Sequence, residues 1–298
     1  MSLKMVKANS RRMRWILLLG AIRWYNMLLL ALAQYIIAFF VFGEDLPYLQ
    51  LLLNRKLHLI VLSTSFAVAG AFLVNAFYDS EKDLVNHPKI AVFSRLLGQN
   101  FLLNSYAAFN VLAILTALLA SLKVFLFVSA LVCLFWFYSH KLQKMPLFRE
   151  ISAGVLALAP LIAVWLHFAT MHYGMVIYLG SLFLLAFTRE VVKDLQGNKG
   201  NIIFGYKTVV VAAGSHFTKN WLFIFNLLCA CLWIFGSLTF PHHWGYYSSI
   251  SLFSVVAAQA VSLTLRFSRN DSFYPIADTL LKTAIVIHLL SPVVRIWM

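Results

Sequence analysis

Three oxygen-bearing side chains, Asn75, Asp79 and Asp83, follow one another at intervals of four residues at the end of a long apolar run. Together with Glu81 they put three of the chain's ten carboxylates into one short stretch. The i, i+4, i+8 spacing sets Asn75, Asp79 and Asp83 on one helical stripe. Carboxylates this close repel, so the stripe is costly unless a cation or a solvated mouth compensates. Mg2+ takes oxygen ligands and usually keeps waters and a substrate phosphate in its shell. A metal–phosphate site at a membrane surface is the chemistry that this stripe suits.

A second cluster, Arg189, Glu190, Lys193 and Asp194, leads into Gln196, Gly197, Asn198, Lys199, Gly200 and Asn201. Glu190 and Asp194 again stand i, i+4 on one face, with cations beside them. The Gly/Asn-rich turn after them would let backbone N–H groups approach an anion. The plainer reading is a helix end whose four charges pair with one another in solvent.

These clusters need elements to hold them, and composition says which kind. Of the 298 residues, 62% are hydrophobic and only 11% charged. A soluble domain has about twice that charged share, so the pattern is that of a multi-span membrane protein. The formal net charge of +14 suggests nucleic acid only in a soluble chain; here the basic residues are spread over separated loops, which excludes that partner. Apolar runs of about 20 residues predict nine helices, at 15–42, 57–78, 96–120, 122–139, 151–169, 172–189, 209–238, 245–266 and 276–297. Only Ser121, Leu122 and Lys123 separate the third run from the fourth.

The basic start (Lys4, Lys7, Arg11, Arg12, Arg14) precedes a run too long for a signal peptide, so it reads as a cytoplasmic tail before a first span. One alternate set of loops carries 17 Lys/Arg and the other 4, which places the first set, and the N-terminus, in the cytoplasm. Both acidic clusters fall on that face, while Glu44 and Asp45 fall on the outer one. The whole of 1–298 reads as a single membrane domain. The four-span period between its acidic clusters hints at duplication, with no strong repeat to support it. Cys133, Cys229 and Cys231 lack metal or disulfide spacing and read as packing residues. His242 and His243 read as interfacial, Trp15, Trp24, Trp244 and Trp297 as interface anchors, and Asp278 with Lys282 as a structural i, i+4 bridge; His288 has no evident partner.

Asn75, Asp79 and Asp83, followed by Asn86 and Pro88, resemble the first signature of the UbiA superfamily of intramembrane prenyltransferases. Arg189 to Asp194, with Gly200 and Gly205 to Thr208, resemble its second signature, in a spelling closest to the geranylgeranylglyceryl-phosphate geranylgeranyltransferase branch. Tyr138 to Leu142, before Pro146, resemble the loop after the fourth helix, and Arg23 and Asn26 an Arg-x-x-Asn pattern in the first. The resemblance implies an all-α bundle of nine transmembrane helices around a central cavity open to lipid. It implies transfer of an isoprenyl group from a prenyl diphosphate to a lipophilic acceptor, an aromatic ring or a glycerol-lipid head group, with Mg2+ as cofactor and membrane lipid as surroundings. In that picture the two acidic motifs face each other and hold Mg2+ ions, and Asp79, Asp83 and Asp194 are the catalytic carboxylates. Asn75, Asp79, Asp83, Glu190 and Asp194 would be metal ligands, while Arg23, Asn26, Tyr138, Lys141, Arg189 and Lys193 would bind substrate. The expected location is a bacterial inner (plasma) membrane, with the active site facing the cytoplasm.

The sequence departs from that pattern in specific places. Ala76 stands where relatives often have an acid, Ile90 where an Arg is common, with Lys89 and Arg95 near it, and Gln143 where a Lys is common. The second motif usually continues with further acids, and here Gln196, Gly197 and Asn201 are neutral. Three outcomes are open: one well-held metal with Glu190 and Asp194 taking another, Lys and Arg in place of the second ion, or a weakened paralogue that binds isoprenoid lipid. A transporter is disfavoured because the acids gather at one membrane face and not at midplane.

Overall fold

The computed structural model describes residues 11–43, 46–86, 88–168, 173–239, 241–268 and 271–297. Lys4, Lys7, Glu44, Asp45 and His172 lie outside the described residues. So do the side chains of Arg11, Arg12, Lys89, Ile90, His242, His243, Trp244 and Trp297. The protein is all-helical among the described residues, as a bilayer requires of a chain whose backbone groups must be satisfied within each segment.

In chain order the helices are α1 (Arg11–Ala21), α2 (Trp24–Ile37, continued by wider π turns over Ala38–Phe42), α3 (Tyr48–Leu52), α4 (Arg55–Tyr78) and α5 (Ser80–Asn86). Then come α6 (Pro88–Leu97), α7 (Gln99–Ala120), α8 (Leu122–His140), α9 (Phe148–Phe168) and α10 (Tyr173–Gln196). The last are α11 (Asn198–Ile203), α12 (Val209–Ala213), α13 (Ser215–Thr239), α14 (Pro241–Phe267) and α15 (Phe273–Leu290).

Among the described residues, eight stretches are long and apolar enough to cross a membrane: Trp24–Phe42, Arg55–Tyr78, Gln99–Ala120, Leu122–Lys144, Phe148–Phe168, Met175–Gln196, Ser215–Gly236 and Phe273–Val294. The expected run at 245–266 falls in α14, whose Ser251–Phe267 part is apolar but shorter than a span. The third and fourth runs are separate helices, because Ser121 is extended and ends α7. Two expectations need correction. The run 15–42 is two helices, broken where Arg23 takes a φ of 53°. The run at 209–238 is broken at Gly214, whose φ of 83° suits a residue without a Cβ.

The chain forms two compact units, 1–32 with 55–140, and 33–54 with 141–298. In the first, α4 packs against α7 and α8, and α1 lies on α6. Leu17, Leu18, Ile22, Ala69, Leu73, Leu97 and Leu102 make its core. In the second, α10 packs against α9, α14 and α15, with Phe187, Val192, Leu222, Leu265 and Leu281 among the buried residues around it. The helix that carries an acidic cluster is therefore the hub of its own unit.

Polarity is distributed as in lipid and not as in water. Leu28, Leu119, Leu232 and Phe235 are exposed, while Gln34, Thr188, Asn226, Ser254 and Ser262 are fully buried. The buried polar groups tie helices together. Gln34 donates to the carbonyl of Pro160 at 2.9 Å, Thr188 to Asn226 Oδ1 at 3.1 Å and the Trp233 indole to Ser251 at 2.7 Å. His288 has partners after all: Ser254 Oγ lies 2.6 Å from its Nδ1, and its Nε2 lies 3.1 Å from the Tyr178 carbonyl. A carbonyl only accepts, so Nε2 carries the proton and the Ser254 hydroxyl donates to Nδ1.

Close helix contact also depends on small residues. A Cβ on Gly154 of α9 would meet the Phe183 ring of α10 at 2.8 Å, and that ring stacks on Phe187. Gly154→Leu should therefore overpack the interface and cost about 1–3 kcal/mol; the check is a lowered unfolding temperature in detergent, with Gly180→Leu, where a Cβ meets open space, as the control.

Candidate active site

The first stripe is built by an unbroken run of helical hydrogen bonds. The Asp79 N–H donates to the Asn75 carbonyl and the Asp83 N–H to the Asp79 carbonyl, both at 2.8 Å, across the junction of α4 and α5. Asn75, Asp79 and Asp83 consequently share one face, as their spacing predicts. The compensating cation that such a stripe needs is partly internal: Lys82 Nζ lies 2.9 Å from Asp79 Oδ1, and both side chains are buried. Lys82 is a partner that the sequence reading did not single out, and its i, i+3 position relative to Asp79 is the signal that reveals it. Asn75 Oδ1 is buried and accepts no hydrogen bond. A buried acceptor of this kind is costly, and it fits a cation held by Asn75 with the neighbouring carboxylates. Among the described residues, no three His, Cys, Asp or Glu side chains are grouped to hold a metal by themselves, so waters and substrate phosphate would have to complete a Mg2+ shell.

The second cluster belongs to the last turns of α10, which runs to Gln196 and not to 189. The Gly/Asn-rich segment after it is no open turn: Asn198–Ile203 form α11, with Gly200 and Asn201 buried. The self-paired reading holds only in part. Glu190 and Lys193 do pair, with Lys193 Nζ 2.7 and 2.9 Å from the two Glu190 oxygens. Arg189 instead places Nε 2.8 Å from Asp278 Oδ1 of α15, and Lys282 takes the other Asp278 oxygen at 2.8 Å. Asp194 has no solvent exposure, and Arg149 Nη2 lies 2.6 Å from its Oδ1. That contact is a charge pair and not an aligned hydrogen bond, since neither Asp194 oxygen has a hydrogen-bond partner.

Arg149 and Glu150 are the functional-site residues that sequence reasoning missed. Both are buried in the first turn of α9, where Glu150 Oε1 accepts from the Val209 N–H at 3.2 Å. Arg149 lies more than forty positions before Asp194, so no helical spacing links them. The available signal is composition: two charges at the start of an apolar run must find partners or stay in water. The connection before them is tight, with a short turn at Leu142–Lys144 and Leu147 held at a φ of 66°.

The other expected residues are dispersed. Arg23 sits at the break between α1 and α2, where its carbonyl accepts from the Asn26 N–H at 2.7 Å. Its guanidinium lies over the Phe72 ring at 5.2 Å. Arg23 and Asn26 are half-buried, as is Tyr138 on α8, whereas Lys141 is exposed. Arg23, Asn26, Asn75, Asp79, Asp83 and Tyr138 belong to the first unit; Lys141, Arg189, Glu190, Lys193 and Asp194 belong to the second.

Two substitutions test this geometry. Arg149→Met leaves Asp194 as an uncompensated buried charge and should cost about 3–5 kcal/mol, while Arg149→Met with Asp194→Leu should return most of that; thermal inactivation in detergent measures both. A positive φ is strained for a bulky side chain by about 1–2 kcal/mol. Arg23→Gly should therefore leave the fold at least as stable while reducing turnover, and stability and activity are measured on the same preparation.

The UbiA prenyltransferase family model matches residues 37–274. A digeranylgeranylglyceryl phosphate synthase of Methanobrevibacter smithii is 24% identical over 231 residues, 72% of this chain and 76% of that protein. A digeranylgeranylglyceryl phosphate synthase of Thermococcus gammatolerans is 27% identical over 165 residues, 54% of this chain and 58% of its own length. Among solved structures, a UbiA homologue from Archaeoglobus fulgidus bound to GPP and Mg2+ shares the fold with a TM-score of 0.70 at 17% identity, over 95% of this chain and 100% of that one. The family match spans most of the chain and includes both acidic helices. The chain belongs to the UbiA prenyltransferase family, whose members are prenyl-transferring membrane enzymes.

Proposed function

We propose that this protein moves a prenyl group from a prenyl diphosphate to a lipophilic acceptor at the cytoplasmic face of the membrane, in one membrane domain spanning 1–298. The observation that carries this reading is the stripe Asn75–Asp79–Asp83, with the buried, unbonded Asn75 Oδ1 beside two carboxylates. These three side chains would hold Mg2+, which when bound neutralises charge building on the leaving diphosphate. The Asn75 oxygen contributes a neutral ligand, and Lys82 sets the orientation of the Asp79 carboxylate. In the second unit, Lys141, exposed just after α8, and the Arg189 and Lys193 cations are donors of the kind that suit diphosphate oxygens. Tyr138 and Asn26 add hydroxyl and amide donors. Apolar helix faces keep water away from the developing allylic cation, and aromatic rings offer it their π-faces.

The names of the relatives support a glycerol-phosphate lipid as the acceptor, and the GPP and Mg2+ of the Archaeoglobus protein support the donor class and the metal. The bias of Lys and Arg among the loops supports the cytoplasmic face. One observation favours a second reading, a weakened relative that binds isoprenoid lipid: every carboxylate of the second cluster is engaged by a cation. Purified protein with Mg2+, labelled prenyl diphosphates and both acceptor types decides between them by diphosphate release. Asp79→Asn and Asp83→Asn should each lower turnover by at least about a hundredfold, the scale of losing one preorganised electrostatic group. Full activity in either variant removes the metal assignment, and absence of release with every acceptor favours the binding-protein reading.

A further inference from the structure

The resemblance to the family implies metal at both acidic motifs, and the second motif of this chain does not fit one. We propose that the Arg149 guanidinium is the resident cation of that motif, and that the chain binds a single divalent ion, on Asn75, Asp79 and Asp83. This inference deepens the Mg2+–diphosphate reading and rests on it.

The donor set is the first reason. Mg2+ demands near-octahedral oxygen coordination, and most carboxylate oxygens of the second cluster already face a cation or an N–H donor. Both Glu190 oxygens accept from Lys193, at 2.7 and 2.9 Å. The Asp278 oxygens are divided between Arg189 and Lys282. Glu150 Oε1 is taken by the Val209 N–H. Asp194 Oδ1 has Arg149 at 2.6 Å, which leaves Asp194 Oδ2 and Glu150 Oε2 as the cluster's unpartnered carboxylate oxygens. These are too few for a Mg2+ shell while the guanidinium is in place, and Gly197 and Asn201 bring no further charge.

Charge balance is the second reason. Arg149, Arg189, Lys193 and Lys282 stand against Glu150, Glu190, Asp194 and Asp278, so the cluster is neutral without any ion. A divalent cation in it would be repelled by three buried or half-buried cations, Arg149, Arg189 and Lys193. Arginine is suited to the position because its charge is permanent and tolerates burial better than an ammonium.

Arg149 is also placed by the backbone and not by chance rotation. Gln143, in the turn before it, is buried, and its carbonyl lies 3.5 Å from Arg149 Nη1. The strained Leu147 and the first turn of α9 fix the approach. Removing the guanidinium would leave Asp194 with the vacant negative charge that a metal seeks.

Mn2+ is the probe, counted on the full-length protein in detergent with a non-cleavable prenyl thiolodiphosphate, by equilibrium dialysis and by electron paramagnetic resonance. The unmodified chain should hold one Mn2+ and show no Mn–Mn coupling. Asp194→Asn should leave the count at one, Arg149→Lys should do the same, and Arg149→Met should raise it to two. Two coupled ions on the unmodified chain overturn the proposal, as does a loss of about tenfold or more in Mn2+ affinity in Asp194→Asn. A count of one in folded Arg149→Met overturns the role of Arg149. Should that variant fail to fold, the unmodified chain and Asp194→Asn decide. An unmodified chain that binds no Mn2+ overturns the metal reading on which the inference rests, a result distinct from a count of two.

Discussion

A carboxylate without solvent exposure near the end of a membrane helix must be neutralised by protonation, by a metal or by a cation from another helix. Asp194 is in that position, and Arg149 supplies the cation across α9 and α10. Much of the second unit is arranged around this requirement. The strained connection at Leu147 delivers Arg149, α11 buries Asn201 beside the end of α10, and Glu150 caps the Val209 N–H where α12 begins. Neighbouring charges follow the same logic, with Arg189 crossing to Asp278 and Lys193 turning back on Glu190.

The two acidic motifs thus solve one electrostatic problem differently. In the first, a single buried lysine answers Asp79 and a buried amide oxygen is left without a donor. In the second, four cations stand among four carboxylates, and Asp278 takes two of them while Glu150 takes an N–H.

The apolar scaffold supports this by inverting the usual pattern. Leucines and phenylalanines face outward, and buried Ser, Thr, Asn, Gln and His side chains connect helices. With no hydrophobic force between helices in lipid, small residues such as Gly154 and hydrogen bonds such as Ser254 to His288 provide the specificity. The break at Arg23 follows from a left-handed backbone conformation that side-chain-bearing residues adopt rarely.

Several features were legible in the amino-acid sequence because they depend on local periodicity. The apolar runs foretold the helices, and i, i+4 spacing foretold the shared face of Asn75, Asp79 and Asp83 and the Asp278–Lys282 pair. The signatures around Asp79 and Asp194 foretold the family. Partners far apart in the chain were not legible: Arg149 with Asp194, Arg189 with Asp278, and His288 with Ser254. Nor were the break at Arg23 and the helical form of 198–203, where tertiary packing overrides glycine's preference for turns. Local pattern determines which residues share a helix face; which charge neutralises a buried carboxylate is decided only when the helices pack, because burial is a property of the assembled bundle.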